Sequence, residues 1–156
     1  MNELVNVHET LSSLTGADFV DCLYQLQNHI IANADPSALI DPPIKHYFAP
    51  NIYVREMYAP AGSVIIGEMH KTEHICTVIS GRATIYSEHG KVEIKGGQTF
   101  VSPMGAKRLF VIEEDLVFQT VHHTKLTDLD EIRKELLVPD EEFQKFRLAN
   151  SLEVNL

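Results

Sequence analysis

The segment Gly67-Glu68-Met69-His70-Lys71-Thr72-Glu73-His74 could place one carboxylate, Glu68, and two imidazoles, His70 and His74, around a single metal. If residues 64–70 run as a strand, Glu68 and His70 share a face, because side-chain direction repeats every two residues. Lys71, Thr72 and Glu73 suit a tight connection, after which His74, Cys76 and Val78 line one face of the next strand. Two adjacent strands can thus gather Glu68, His70 and His74 around one divalent ion. Two neutral imidazoles and one carboxylate form the facial set favoured by non-haem iron, and zinc, manganese and nickel accept the same donors. The competing reading makes the histidines ordinary surface groups and pairs Glu68 with a lysine.

A metal set of this kind needs a rigid frame, and the chain supplies many short strands. Alternation predicts strands at 51–58, 64–70, 74–80, 82–87, 90–95, 99–102, 107–113 and 116–123. Gly81, Glu88-His89-Gly90, Gly96-Gly97, Pro103-Met104-Gly105 and Glu113-Glu114-Asp115 supply the turns. The spacing leaves no room for crossover helices, so a parallel α/β sheet is excluded. A mainly β jelly-roll sandwich is the economical solution.

The stretch from Gly67 to Gly81 resembles a diverged first motif of the cupin superfamily, whose members are small jelly-roll barrels that often bind a divalent metal inside. Counted back from Gly81, His74 stands at the usual glutamate, while Glu68 and His70 stand at the two histidines of the pair. Gly97, Pro103 and Gly105 keep the spacing of the second motif, but Arg108 occupies the place of its last histidine. The motifs cover about residues 62–112. The resemblance implies a cupin-type barrel, a divalent metal (iron, zinc, manganese or nickel) on Glu68, His70 and His74, and a site that lacks the usual fourth ligand. The short chain with its acidic helical tail is also similar to small uncharacterised bacteriophage cupins, which would place it in the infected host cytoplasm.

Arg108 has two readings: a planar donor fork for a carboxylate or phosphate, or a structural partner of Glu68. In the last strand, Phe118, Thr120 and His122 share one face and Gln119, Val121 and His123 the other. His122 is the inward candidate, to complete coordination or transfer a proton. Tyr86 is a candidate for orienting substrate or a metal-bound water, and Tyr58 for contacting substrate; ordinary sandwich packing is the alternative for both. Cys76 reads as a small buried hydrophobe.

Flanking the strands, Phe19, Cys22, Leu23, Leu26, Ile30 and Ile31 make an apolar stripe on a helix over about 17–33, with Thr15 as its cap. Asp41-Pro42-Pro43 lies in an expected irregular connector, 35–48. A second helix is expected at 127–137, capped by Thr127, and a short one at 140–147. The chain divides into residues 1–48, helix and connector; 49–124, barrel; and 125–156, a helical extension of the same domain.

The chain has 156 residues, a formal charge of −9 and two cysteines. That length supports one principal core. The acidic balance disfavours nonspecific nucleic-acid binding, and no disulfide framework follows from two cysteines. The amino terminus lacks a secretion signal and no apolar run spans a membrane, so a cytoplasmic protein is expected. The functional expectation is a metal-dependent cupin that binds or transforms a small polar or anionic metabolite, as a homodimer. A noncatalytic module that sequesters a nucleotide or other anion, and a homo-oligomeric structural protein, are the alternatives.

Overall fold

The computed structural model describes residues 9–155. After a helical segment at 9–13 come α1 (Gly16–Asn33), β1 (Ile44–Ala49), β2 (Ile52–Ala59), β3 (Val64–Ile66), β4 (His74–Ser87), β5 (Gly90–Lys95), β6 (Thr99–Ser102), β7 (Leu109–His123), α2 (Leu129–Leu136) and α3 (Phe143–Ala149). All strand pairing is antiparallel. The fold is mainly β with flanking helices, as the density of short strands requires.

β4 and β7 pair along most of their length and form the spine of the sheet. Their first and second halves recruit different partners. β1, β2 and β6 extend the ladder on one side of the bend at Gly81, whereas β3 and β5 extend it on the other. Each of these long strands replaces two expected short ones. At the bend, register shifts fall between Val78 and Ala83, and Gly81 has φ +89°. A Cβ there would sit 2.1 Å from the Asp115 carbonyl oxygen, so only glycine lets the strands cross this closely.

Bending folds the sheet over one core. Met57, Cys76, Val78, Leu116 and Phe118 from one half meet Ala83, Ile85, Ile94, Phe110 and Ile112 from the other. Burial of these side chains contributes about 1.5–3 kcal/mol apiece. A second cluster lies on the outer face of the β3-β7-β4-β5 half, where Phe19, Leu23 and Tyr24 of α1 cover Tyr86, Leu109 and Met69. Helix α1 therefore lays the stripe from Phe19 to Leu26 on the sheet, while Ile31 stays exposed.

Four local expectations differ from the structure. β1 lies in the stretch expected to be irregular; Pro42 and Pro43 immediately precede it, and as an edge strand it needs partners on one side only. The expected 64–70 strand stops at Ile66, so the two-residue alternation linking Glu68 to His70 is lost. Thr15 occupies the N-cap of α1 without a side-chain cap bond. For α2 the cap is Asp128 rather than Thr127, with its carboxylate accepting from the Glu131 amide at 3.0 Å. No helix among the described residues is long and apolar enough to cross a membrane.

Candidate metal centre

The inner face of the β1-β2-β7-β4-β6 half is ordered in cross-strand rows. Ile44, Met57, Phe118 and Val78 make an apolar row. The next contains His46, Arg55, Thr120, Cys76 and Phe100. Beyond it, Tyr53 pairs with His122 and His74 with Ser102. Alternation within each strand thus carries apolar packing at one level and chemistry one step further along.

His70, His74 and His122 converge there, with one ligand nitrogen from each lying within 4.8 Å of the other two. Their ring centroids are 4.3 Å (His70–His74), 4.7 Å (His74–His122) and 5.2 Å (His70–His122) apart. Nitrogens bound to one tetrahedral zinc sit roughly 3.3 Å from each other, so ring rotations of about an ångström would close the set. The group lies in a cavity of about 1070 Å³ that is also lined by Arg55, Arg108, Met57 and Phe118.

The donor set fits a metal in two further respects. Each ring has a hydrogen-bond partner that can fix its orientation: the Glu68 backbone for His70, the Thr72 carbonyl for His74 Nδ1 at 3.1 Å, and the Thr120 hydroxyl for His122 Nε2 at 2.9 Å. His122 Nδ1 is buried and has no hydrogen-bond partner among the described residues. A buried polar nitrogen left so costs about 1–3 kcal/mol, which coordination would offset.

Burial also holds the imidazoles neutral, as ligands must be. Desolvation, then the neighbouring histidines and Arg55, push His70 down to about 3; desolvation, His74 and Arg55 push His122 down to about 4. His74 is lowered by burial and by Arg108, against the raising effect of the Thr72 carbonyl.

His70 lies outside the named strands and is positioned by long-range backbone bonds. Its carbonyl accepts from the Gly105 amide at 2.9 Å, and it forms an isolated bridge with Leu137. Beside it, the Lys71 amide donates to Leu136 and the Val138 amide to Met69. The fully buried Met69 anchors the same stretch in the helix-covered cluster.

Other expected site residues take different places. Glu68 does not join the imidazoles; with the strand ended at Ile66 its exposed carboxylate turns to Arg133 of α2, 2.5 Å away. Exposed pairs of this kind are worth about 0–1 kcal/mol. Glu68→Gln is therefore expected to keep zinc affinity within about twofold of the parent and to cost no more than ~1 kcal/mol in urea denaturation. A tenfold loss of zinc affinity by competition titration would return Glu68 to the ligand set.

Tyr86 is buried beneath α1 in the second cluster and does not line the cavity. Tyr58 shares the outer face of β2 with Glu56, to which its hydroxyl donates, while Lys45 lies 5.2 Å from its ring centre. The reason is the same for both: they alternate with inward residues, and the inward neighbours of Tyr58 are Met57 and Ala59.

Arg108 does line the cavity. It donates to the Cys76 sulfur and lies 5.5 Å from the Phe100 ring centre, and burial lifts the Cys76 thiol to about 11. The ion pair with Glu68, one of its two readings, is not formed among the described residues, where Glu68 pairs with Arg133. Arg55, unassigned by the sequence reading, lines the same cavity from β2. The signal was present in the alternation Tyr53, Arg55, Met57, which places a guanidinium on the apolar face.

No protein-family model matches the chain, and no curated protein matches it. Solved structures similar to it include an RmlC-like cupin with a double-stranded β-helix fold from Methanocaldococcus jannaschii, at 16% identity over 55% of this chain and 82% of that one, TM-score 0.46. An uncharacterised protein with a double-stranded β-helix domain from Klebsiella pneumoniae is 20% identical over 56% and 81% of the respective chains, TM-score 0.48. A cupin-2 domain protein from Shewanella frigidimarina is 11% identical over 64% and 92%, TM-score 0.44. The overlap is partial, and the chemistry of this chain rests on its own side chains.

Proposed function

We propose that this chain is a cupin-type, metal-dependent protein that binds or transforms a small polar, anionic metabolite. The observation that carries the reading is the convergence of His70, His74 and His122 in a half-open, partly apolar cavity. An all-imidazole set suits zinc, iron or nickel better than manganese, which prefers oxygen donors. A metal held by three protein ligands supplies Lewis acidity at its open positions.

The protein's own groups then have separable tasks. His70, His74 and His122 hold the ion, each oriented through its other ring nitrogen or neighbouring backbone. Arg108 holds an anionic group of the ligand. Met57 and Phe118 form apolar wall in the same cavity, against which the carbon chain of a ligand can pack. A noncatalytic binding module uses the same cavity and the same arginine; persistence of ligand binding after chelation favours that version.

Elemental analysis tests the reading. Protein purified without chelator, or supplied afterwards with zinc, iron, nickel or manganese, is expected to hold about one ion per chain. Substoichiometric metal under all four additions would reject it.

A further inference from the structure

We infer that Arg55 and Arg108 act together as a two-point clamp, and that the cavity's ligand is a small dianion of the aliphatic dicarboxylate class. The inference deepens the proposed anionic-ligand function, and its geometry stands without any metal. Both guanidiniums are partly buried and line the cavity that holds the three histidines. Among the described residues neither forms a salt bridge, whereas Arg82, Arg133 and Arg147 all do.

Their placement separates them. Arg55 shares a cross-strand row with Thr120, Cys76 and Phe100. Arg108 reaches the far end of that row, fixed by the Cys76 sulfur and the face of Phe100. Two strand spacings put Arg55 about 10 Å from Cys76 along the sheet. The electrostatics agree: Arg55 acts on His70 and His122, while Arg108 acts on His74. The two cations therefore act on different imidazoles of the cluster.

A partly desolvated cation outside any ion pair is costly, and Glu68 and Asp41 act on Arg55 without pairing with it. In a chain of net charge −9 the cavity wall carries Arg55, Arg108 and Arg133 against Asp41 and Glu68, a local excess of positive charge. One anionic group per guanidinium relieves that cost, and the rigid donor fork suits carboxylates. Separated arginines favour two carboxylates on a short carbon chain over one shared oxyanion.

Calorimetric titration of the full chain with succinate, glutarate, butyrate and inorganic phosphate, with and without zinc, tests this. The diacids are expected to bind one per chain, at least about tenfold tighter than butyrate and tighter than phosphate, in chelator-treated protein as well. Arg55→Gln and Arg108→Gln should each bring the better diacid down roughly tenfold or more toward butyrate, with Arg55→Lys intermediate because it keeps charge and loses the fork. Zinc stoichiometry and the melting transition of Arg55→Lys should match the parent. Diacid affinity equal to butyrate, phosphate preferred over both diacids, no diacid binding at millimolar concentration, or diacid binding unaltered in folded Arg55→Lys and Arg55→Gln would each overturn the clamp. Absent zinc with intact diacid selectivity would instead remove the metal reading alone.

Discussion

Replacement of His122 by alanine is expected to strip the protein of tightly held metal while leaving it folded. A four-ligand structural zinc site is worth about 10–16 kcal/mol, so one imidazole of three accounts for roughly 3 kcal/mol or more, about a hundredfold in affinity. The measured quantity is the zinc dissociation constant by competition with a chromophoric chelator. Stability should move less than metal affinity does, because the change also removes the orphaned Nδ1 and its desolvation cost. It does leave a void beside Thr120 and Tyr53, whose ring stacks on His122 at 5.9 Å, and that void costs about 1–3 kcal/mol. His74→Ala and His70→Ala should give the same hundredfold loss. Unchanged zinc affinity in His122→Ala would remove the third ligand from the site.

The largest effect on stability is expected at Arg147, far from any proposed chemistry. Its side chain is 1% exposed and donates to both carboxylate oxygens of Glu88, at 3.0 and 2.7 Å, to the Gly105 carbonyl at 2.7 Å and to the Glu153 carbonyl at 3.0 Å. Arg147→Ala leaves the Glu88 carboxylate and two carbonyls to find other partners in a poorly hydrated place. Breaking a buried pair from one side costs about 3–5 kcal/mol, which for a domain of this size lowers the melting temperature by roughly 10 °C. Glu88→Leu combined with Arg147→Leu should cost much less than the sum of the single changes, since neither charge is then stranded. Additive costs in a denaturation-based double-mutant cycle would show that the pair is energetically idle.

Fold class was legible because it depends on alternation and turns, both local. Strand limits were less so. Residues 74–80 and 82–87 read as two strands because Gly81 is a turn signal, yet in the molecule it is a bend within one long strand whose partner crosses at that point. The site was legible where strands carry it: His74 points inward from β4, and His122 was separable from His123 by its company with Phe118 and Thr120. It was illegible between Ile66 and His74, where contacts with residues 105 and 136–138 decide direction. No local pattern encodes those partners, and the assumption of continued strand geometry put Glu68 in a position that a turn of the chain gives to Arg133. Tyr58 and Arg55 show the opposite case. The alternation that places Arg55 inside places Tyr58 outside, so this part of the site was available from the sequence.

His70 is held on one side by the Gly105 amide and on the other by the stretch Leu136–Val138, while Arg147 in turn grips the Gly105 carbonyl. The three imidazoles are consequently assembled on different schedules during biosynthesis. A nascent chain ending near residue 124 already contains the β spine that aims His74 and His122 and the Gly105 amide that holds His70, but not the second brace at Leu136–Val138. Competence to present all three nitrogens arrives only when the residues beyond α2 have emerged from the ribosome and docked.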